Sequence, residues 1–117
     1  MLTPSRQFLK LEHVRIITWR VLRQFGDKHP GATVPLREWY KLTLHATWRN
    51  FVEVKATFGQ TDQAKVASGQ TVCVFDIGGN KYRLVAFISY RKGKVYVLRV
   101  MTHKEYDRAN QQWKEEL

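Results

Sequence analysis

Between Thr71 and Met101 the chain runs through three β-branched and aromatic stretches separated by two short turn signals, Gly78-Gly79-Asn80 and Arg91-Lys92-Gly93-Lys94. Period-two alternation sends successive side chains to opposite faces of a sheet, and connections this short join antiparallel neighbours. The expectation is a three-stranded meander over Thr71 to Ile77, Lys81 to Tyr90 and Val95 to Met101. In the middle strand Tyr82, Leu84, Ala86 and Ile88 fall on one face, and Arg83, Val85, Phe87 and Ser89 on the other. Both faces are partly apolar, so each needs cover from helices or a partner chain.

The upstream half supplies such helices. His13 to Thr18 is short and β-branched and reads as a first strand. Thr18 can cap a helix carrying Trp19, Leu22 and Phe25 at helical spacing, with Gly26 and His29-Pro30-Gly31 ending it. Thr33 as a cap, Pro35 in the first turn and the stripe Leu36, Trp39, Tyr40, Leu44 predict a second helix from about Val34 to His45, with Arg37, Glu38 and Lys41 toward solvent. Asn50 to Phe58 reads as a third, stopped by Gly59, and 59–70 as a loop. Thr102-His-Lys-Glu105 is a capping box opening a closing helix. The fold class is α+β: N-terminal helices packed on a small antiparallel sheet, with a short C-terminal helix. Residues 1–12 form an arm or extension, and 13–117 the domain.

A chain of 117 residues can build one modest core without metal or disulfide. Cys73, the single cysteine, lies in an apolar run and reads as a small buried hydrophobe in a reducing compartment. No apolar stretch is long enough to span a membrane and no signal-peptide pattern opens the chain, so a cytoplasmic location is expected. Zinc spacings, phosphate loops and Gly-x-Ser-x-Gly elbows are missing, so neither cofactor nor metal is expected. The balance of 20 Lys and Arg against 10 Asp and Glu, a net +10, favours a polyanionic partner such as nucleic acid.

RNA can be cut without metal when a base deprotonates a ribose 2′-hydroxyl, an acid protonates the departing 5′-oxygen and a cation stabilises the phosphorane. His103 and Tyr106, at i and i+3 on the first turn of the closing helix, are titratable groups on one side of it. Tyr106 can accept or relay a proton if cations lower its pKa. The plain alternatives are a helix-turn histidine and a tyrosine packed on the sheet. Arg83 and Arg99, in adjacent predicted strands, call for an anion: a phosphate, or a structural partner such as Asp76 or Asp107. Lys81, Lys55 and Lys104 are weaker candidates for RNA contact.

Four blocks, Val14-Arg-Ile-Ile-Thr18, Pro35-Leu-Arg-Glu-Trp-Tyr40, Val74-Phe-Asp-Ile-Gly-Gly-Asn-Lys-Tyr-Arg-Leu-Val85 and Arg99-Val-Met-Thr-His-Lys-Glu-Tyr-Asp107, occur in an order that resembles the HigB-type toxins of bacterial toxin-antitoxin modules, within the RelE-like ribonuclease superfamily. The resemblance implies a compact toxin that cuts messenger RNA without metal, typically in the ribosomal A site. It also implies restraint by a cognate HigA-like antitoxin of the helix-turn-helix type. It sets His103 and Tyr106 at the candidate catalytic positions, Arg83 and Arg99 at basic positions of the cleft, and Lys81 as an assistant. A rival reading is a non-catalytic RNA- or ribosome-binding module, for which basic charge and exposed aromatics such as Tyr90 and Tyr96 suffice.

Overall fold

The computed structural model describes residues 15–17 and 19–117. The expected arm over 1–12, the first two residues of the predicted first strand and the Thr18 cap lie outside them. The elements are β1 (Arg15–Ile17), α1 (Trp19–Lys28), α2 (Thr33–Leu44), α3 (Phe51–Thr57), β2 (Asp62–Lys65), β3 (Thr71–Ile77), β4 (Tyr82–Ser89), β5 (Lys94–Thr102), α4 (His103–Asp107) and α5 (Trp113–Glu116). Single turns of 3-10 helix precede α2, at Pro30–Ala32, and follow α4, at Arg108–Asn110.

The sheet order is β1-β5-β4-β3-β2, with β2 through β5 antiparallel and β1 added parallel to β5. The meander follows the sequence reading, and its β3–β4 turn uses Gly78 and Gly79 at positive φ, which a side chain would strain. One finding departs from it: 59–70 contains β2, whose polar, largely exposed residues Asp62-Gln-Ala-Lys65 carry no apolar alternation. An edge strand held mainly by backbone pairing to β3 leaves little trace in composition.

On one face, Cys73, Phe75, Ile77, Leu84, Ala86, Ile88 and Val95 pack against Leu22 of α1, Leu36 and Trp39 of α2 and Val54 of α3. Gly26 does not end α1. A Cβ there would lie 3.0 Å from the Thr33 Oγ1, so glycine permits close approach of α1 and α2. Thr33 is not the cap of α2 either; Ala32 holds that position, and the Thr33 hydroxyl instead donates to the Gly26 carbonyl at 3.5 Å. Thr43 takes the buried place expected of Leu44, which is exposed. Asn50 caps α3 by accepting from the Glu53 amide at 3.1 Å. Burial pushes the Cys73 thiol up to about 11, as suits an inert core residue.

A second cluster, Val66, Val72, Val74, Val85, Met101 and Trp113, covers part of the opposite face with Tyr106 and Leu117 against it. That cover comes from the C-terminal segment, anchored by the Ala67 amide donating to the Lys114 carbonyl at 2.9 Å.

A register shift decides which side chains share this second face. Val85 pairs with Arg99 but Ala86 with Val97, so Leu98 is an extra residue in β5. A bulge of this kind reverses the alternation along one strand. Val95 and Val97 therefore point toward the helices, whereas Arg99 and Met101 share the second face with Val85 and Arg83.

Candidate functional site

The site grows from the end of β5. Thr102 accepts from the Glu105 amide at 3.1 Å while the Glu105 carboxylate accepts from the Thr102 amide at 2.9 Å, completing the predicted capping box. The His103 amide donates to the Lys81 carbonyl at 2.9 Å, which ties the first turn of α4 to the β3–β4 turn. Backbone and cap together fix where His103 and Tyr106 emerge.

Arg83, Arg99 and His103 each meet a carboxylate. Arg83 is buried: its Nε lies 3.2 Å from Asp76 Oδ1, Nη2 donates to Asn80 Oδ1 at 2.6 Å, and Nη1 donates to the Tyr82 carbonyl at 3.3 Å. The carboxylate weighed against phosphate for Arg83 is thus its partner. Arg99 pairs with Glu116 of α5, which neither spacing nor pattern singled out. His103 Nε2 lies 3.0 Å from Asp107 Oδ2, one helical turn on, while its buried Nδ1 has no hydrogen-bond partner among the described residues.

Tyr106 links these parts. The Arg83 guanidinium lies 5.1 Å from the centre of its ring, and Trp113 stacks on it at 5.6 Å. Burial raises the pKa of the phenol; the Arg83 charge acts in the opposite direction but does not win. Accepting a proton would require cations to lower this pKa. The net shift is upward because burial disfavours a phenolate.

A cleft of about 230 Å³ opens beside Tyr106's partner Trp113, lined also by Arg99, Met101, Arg108 and Glu116. No hydrogen bond, ion pair or ring contact among the described residues joins Arg99 to His103 or Tyr106. Arg83 and Tyr106 are in contact, His103 shares their helix turn, and Arg99 stands two register steps along the sheet from Arg83. Lys81 and Lys104 are exposed beside this turn. Lys55 is not with them: on α3, its Nζ donates to the Thr61 carbonyl at 2.9 Å and fastens the approach to β2. Tyr90 and Tyr96 part company too, Tyr90 packing toward the helices and Tyr96 pairing with Phe87 on the other face. Sequence reasoning missed Asn80, Trp113 and Glu116. The one available signal was a Trp and a Glu at i and i+3 within a polar tail.

Among the described residues, no group of three or more His, Cys, Asp or Glu is arranged to hold a metal ion, and no helix is long and apolar enough to cross a membrane.

Three helices on one face of a four-stranded antiparallel meander, with β5 leading into a capped helix on the other, form an α+β domain consistent with the RelE-like fold. The sequence profile of the HigB toxin family, described as the RelE-like toxic component of a toxin-antitoxin system, matches residues 32–109. The chain belongs to the HigB toxin family. It is 31% identical over 94 residues to the mRNA interferase toxin HigB of Escherichia coli K12, covering 80% of this chain and 88% of that one. The mRNA interferase HigB of Shigella flexneri matches equally well, and that of Escherichia coli O6:H1 is 24% identical over 102 residues, or 87% of this chain and 97% of that one.

Proposed function

We propose that this protein is an endoribonuclease toxin that cuts messenger RNA by side-chain proton transfer, without a metal, on translating ribosomes in the cytoplasm, and is neutralised by a cognate HigA-like antitoxin. The relatives named above are mRNA interferases, which supports the substrate class. The observation carrying the reading is the capped turn that presents His103 and Tyr106 next to Arg83 on a strongly cationic chain.

In the reaction proposed, the 2′-oxygen loses its proton to a base and attacks phosphorus. The bond to the 5′-oxygen breaks and that oxygen takes a proton, leaving a cyclic phosphate and a 5′-hydroxyl. Tyr106, its pKa raised by burial, keeps its proton at neutral pH and suits the acid better than the base. His103 is then the base, its accessible Nε2 exchanging the Asp107 carboxylate for the 2′-hydroxyl because Nδ1 is buried, with the nearby Asp107 charge favouring the imidazolium that forms. Arg83 holds the Tyr106 ring and adds positive charge. Arg99, its guanidinium and the Glu116 carboxylate both partly exposed, exchanges that carboxylate for a substrate phosphate. Lys81, Lys104 and, more remotely, Lys55 contribute long-range attraction.

Induction in a bacterial host followed by mapping of RNA ends tests the reading, together with cleavage by purified protein with and without ribosomes and a chelator. Ends generated in messenger RNA that persist with chelator support it; intact messenger and normal growth overturn it. Within this scheme Glu116→Gln, which removes the competitor for Arg99, lowers the KM for RNA by up to about fivefold, the range of an exposed ion pair. An unchanged KM in steady-state cleavage assays would show that Glu116 does not compete with substrate.

A further inference from the structure

Away from α4, the same sheet face carries a second cavity, of about 330 Å³, at the end of the meander near the β4–β5 turn. Its size falls in the range of roughly 300–1,000 Å³ common for small-ligand sites. Phe87 and Tyr96 stand directly opposite each other in β4 and β5, with ring centres 6.2 Å apart and planes at 34°. With Leu98 they form a half-exposed apolar shelf, and Gln70 and Ser89 place polar groups along its border. Phe87 and Leu98 pack against the border of the cluster that Trp113 and Leu117 help to cover, whereas Tyr96 lies outside that cluster.

The charge around the shelf identifies its occupant. Arg91, Lys92 and Lys94 occupy the adjoining turn and strand end, Lys92 lining the cavity itself, and none has an ion-pair partner among the described residues. Elsewhere on this face the arginines Arg83 and Arg99 are matched by carboxylates. Unmatched cations beside exposed aromatic faces are the pairing that single-stranded nucleic acid uses, with phosphates on the cations and bases on the rings. An acidic protein segment would satisfy the cations as well, but flat rings beside them suit a stacked base in particular.

We infer that Phe87 and Tyr96 form a stacking shelf for an unpaired base of the RNA substrate, with Lys92 on the adjoining phosphate. The inference rests on the ribonuclease reading and extends it. From Arg83 to Phe87 is four residues of strand, about 13 Å at the usual rise per residue. Arg99, opposite Val85, lies between them as a stepping point for the backbone. A short single strand thus runs along β4 with its cleaved bond at α4 and a flanking base on the shelf.

The test uses the full chain and short single strands of 2′-O-methyl RNA, which cannot be cleaved because the nucleophilic oxygen is capped. In fluorescence anisotropy Tyr96→Ala weakens binding about tenfold, the scale of one lost base stack, and Tyr96→Trp restores it. Placing abasic sites one at a time along the strand locates a position that costs the wild type about as much and costs Tyr96→Ala nothing further. Lys92→Glu, at an exposed turn where folding is not at issue, flattens the dependence of affinity on salt by about one phosphate contact. If Tyr96→Ala and Lys92→Glu bind as the wild type does while RNA is still cut, the shelf is refuted and the ribonuclease reading stands. If wild-type protein neither binds nor cuts RNA, the ribonuclease reading fails and takes this inference with it. If both variants lose only an acidic protein partner and keep RNA affinity, the surface is a protein interface and the shelf is again refuted.

Discussion

His103→Ala slows RNA cleavage by roughly two to four orders of magnitude, the usual contribution of one positioned acid or base. On the proposed mechanism the loss falls on kcat with little change in KM, because the imidazole would act on the proton in flight while the phosphate is held elsewhere. The fold should not notice. His103 is partly exposed, its backbone bond to Lys81 survives the substitution, and the Thr102–Glu105 capping box does not involve its ring. Single-turnover cleavage beside a thermal melt checks both halves. A variant within a few-fold of the wild-type rate would remove His103 from the proton path, and a lowered Tm would mean that its pairing with Asp107 is structural. Tyr106→Phe offers a contrast, since it keeps the ring between Arg83 and Trp113 and deletes only the hydroxyl.

Phe75→Ala is the substitution most damaging to the fold. Phe75 is completely buried on the helix side of β3, with the rings of Trp39, Phe58 and Trp48 centred 5.4, 5.4 and 6.4 Å away. Truncation removes the shared contact of α2, the segment after α3 and the sheet, and leaves a cavity whose aromatic walls cannot collapse without moving a helix. The expected loss is about 3–5 kcal/mol, a large part of the stability of a domain this small. Urea unfolding monitored by tryptophan fluorescence measures it. A loss below about 1 kcal/mol, within the range of neutral surface changes, would mean that the cluster is loosely packed.

How far the sequence could be read depended on how local each determinant is. The hairpins of β3, β4 and β5 were legible because the alternation and the turn glycines lie in one continuous segment. The capping box was legible for the same reason, since both partners fall within four residues. Gly26 was misread because a glycine that permits close approach to Thr33 looks the same in sequence as one that ends a helix. β2 was hidden because an exposed edge needs no apolar pattern. At the site, His103, Tyr106 and Arg83 could be proposed from residue type and position. The carboxylate facing Arg99 could not, because Glu116 arrives through the docking of α5 and not through any spacing along the chain. Nor could the face on which Arg99 lies, which depends on Leu98 entering β5 as an extra residue.

The parallel strand β1 carries a consequence for the order of assembly. Arg15 meets Lys94 and Ile17 meets Tyr96, so the sheet joins residues far apart along the chain, whereas β2 through β5 form by hairpins between sequence neighbours. Contacts between distant residues bear the larger loop-closure cost and form late. The meander can therefore mature before β1 docks, leaving the outer edge of β5 unpaired in the interval and open to strand addition from another molecule. A folding protein of this kind is most prone to aggregate while the strand that carries Arg99 is already formed and its edge is still bare.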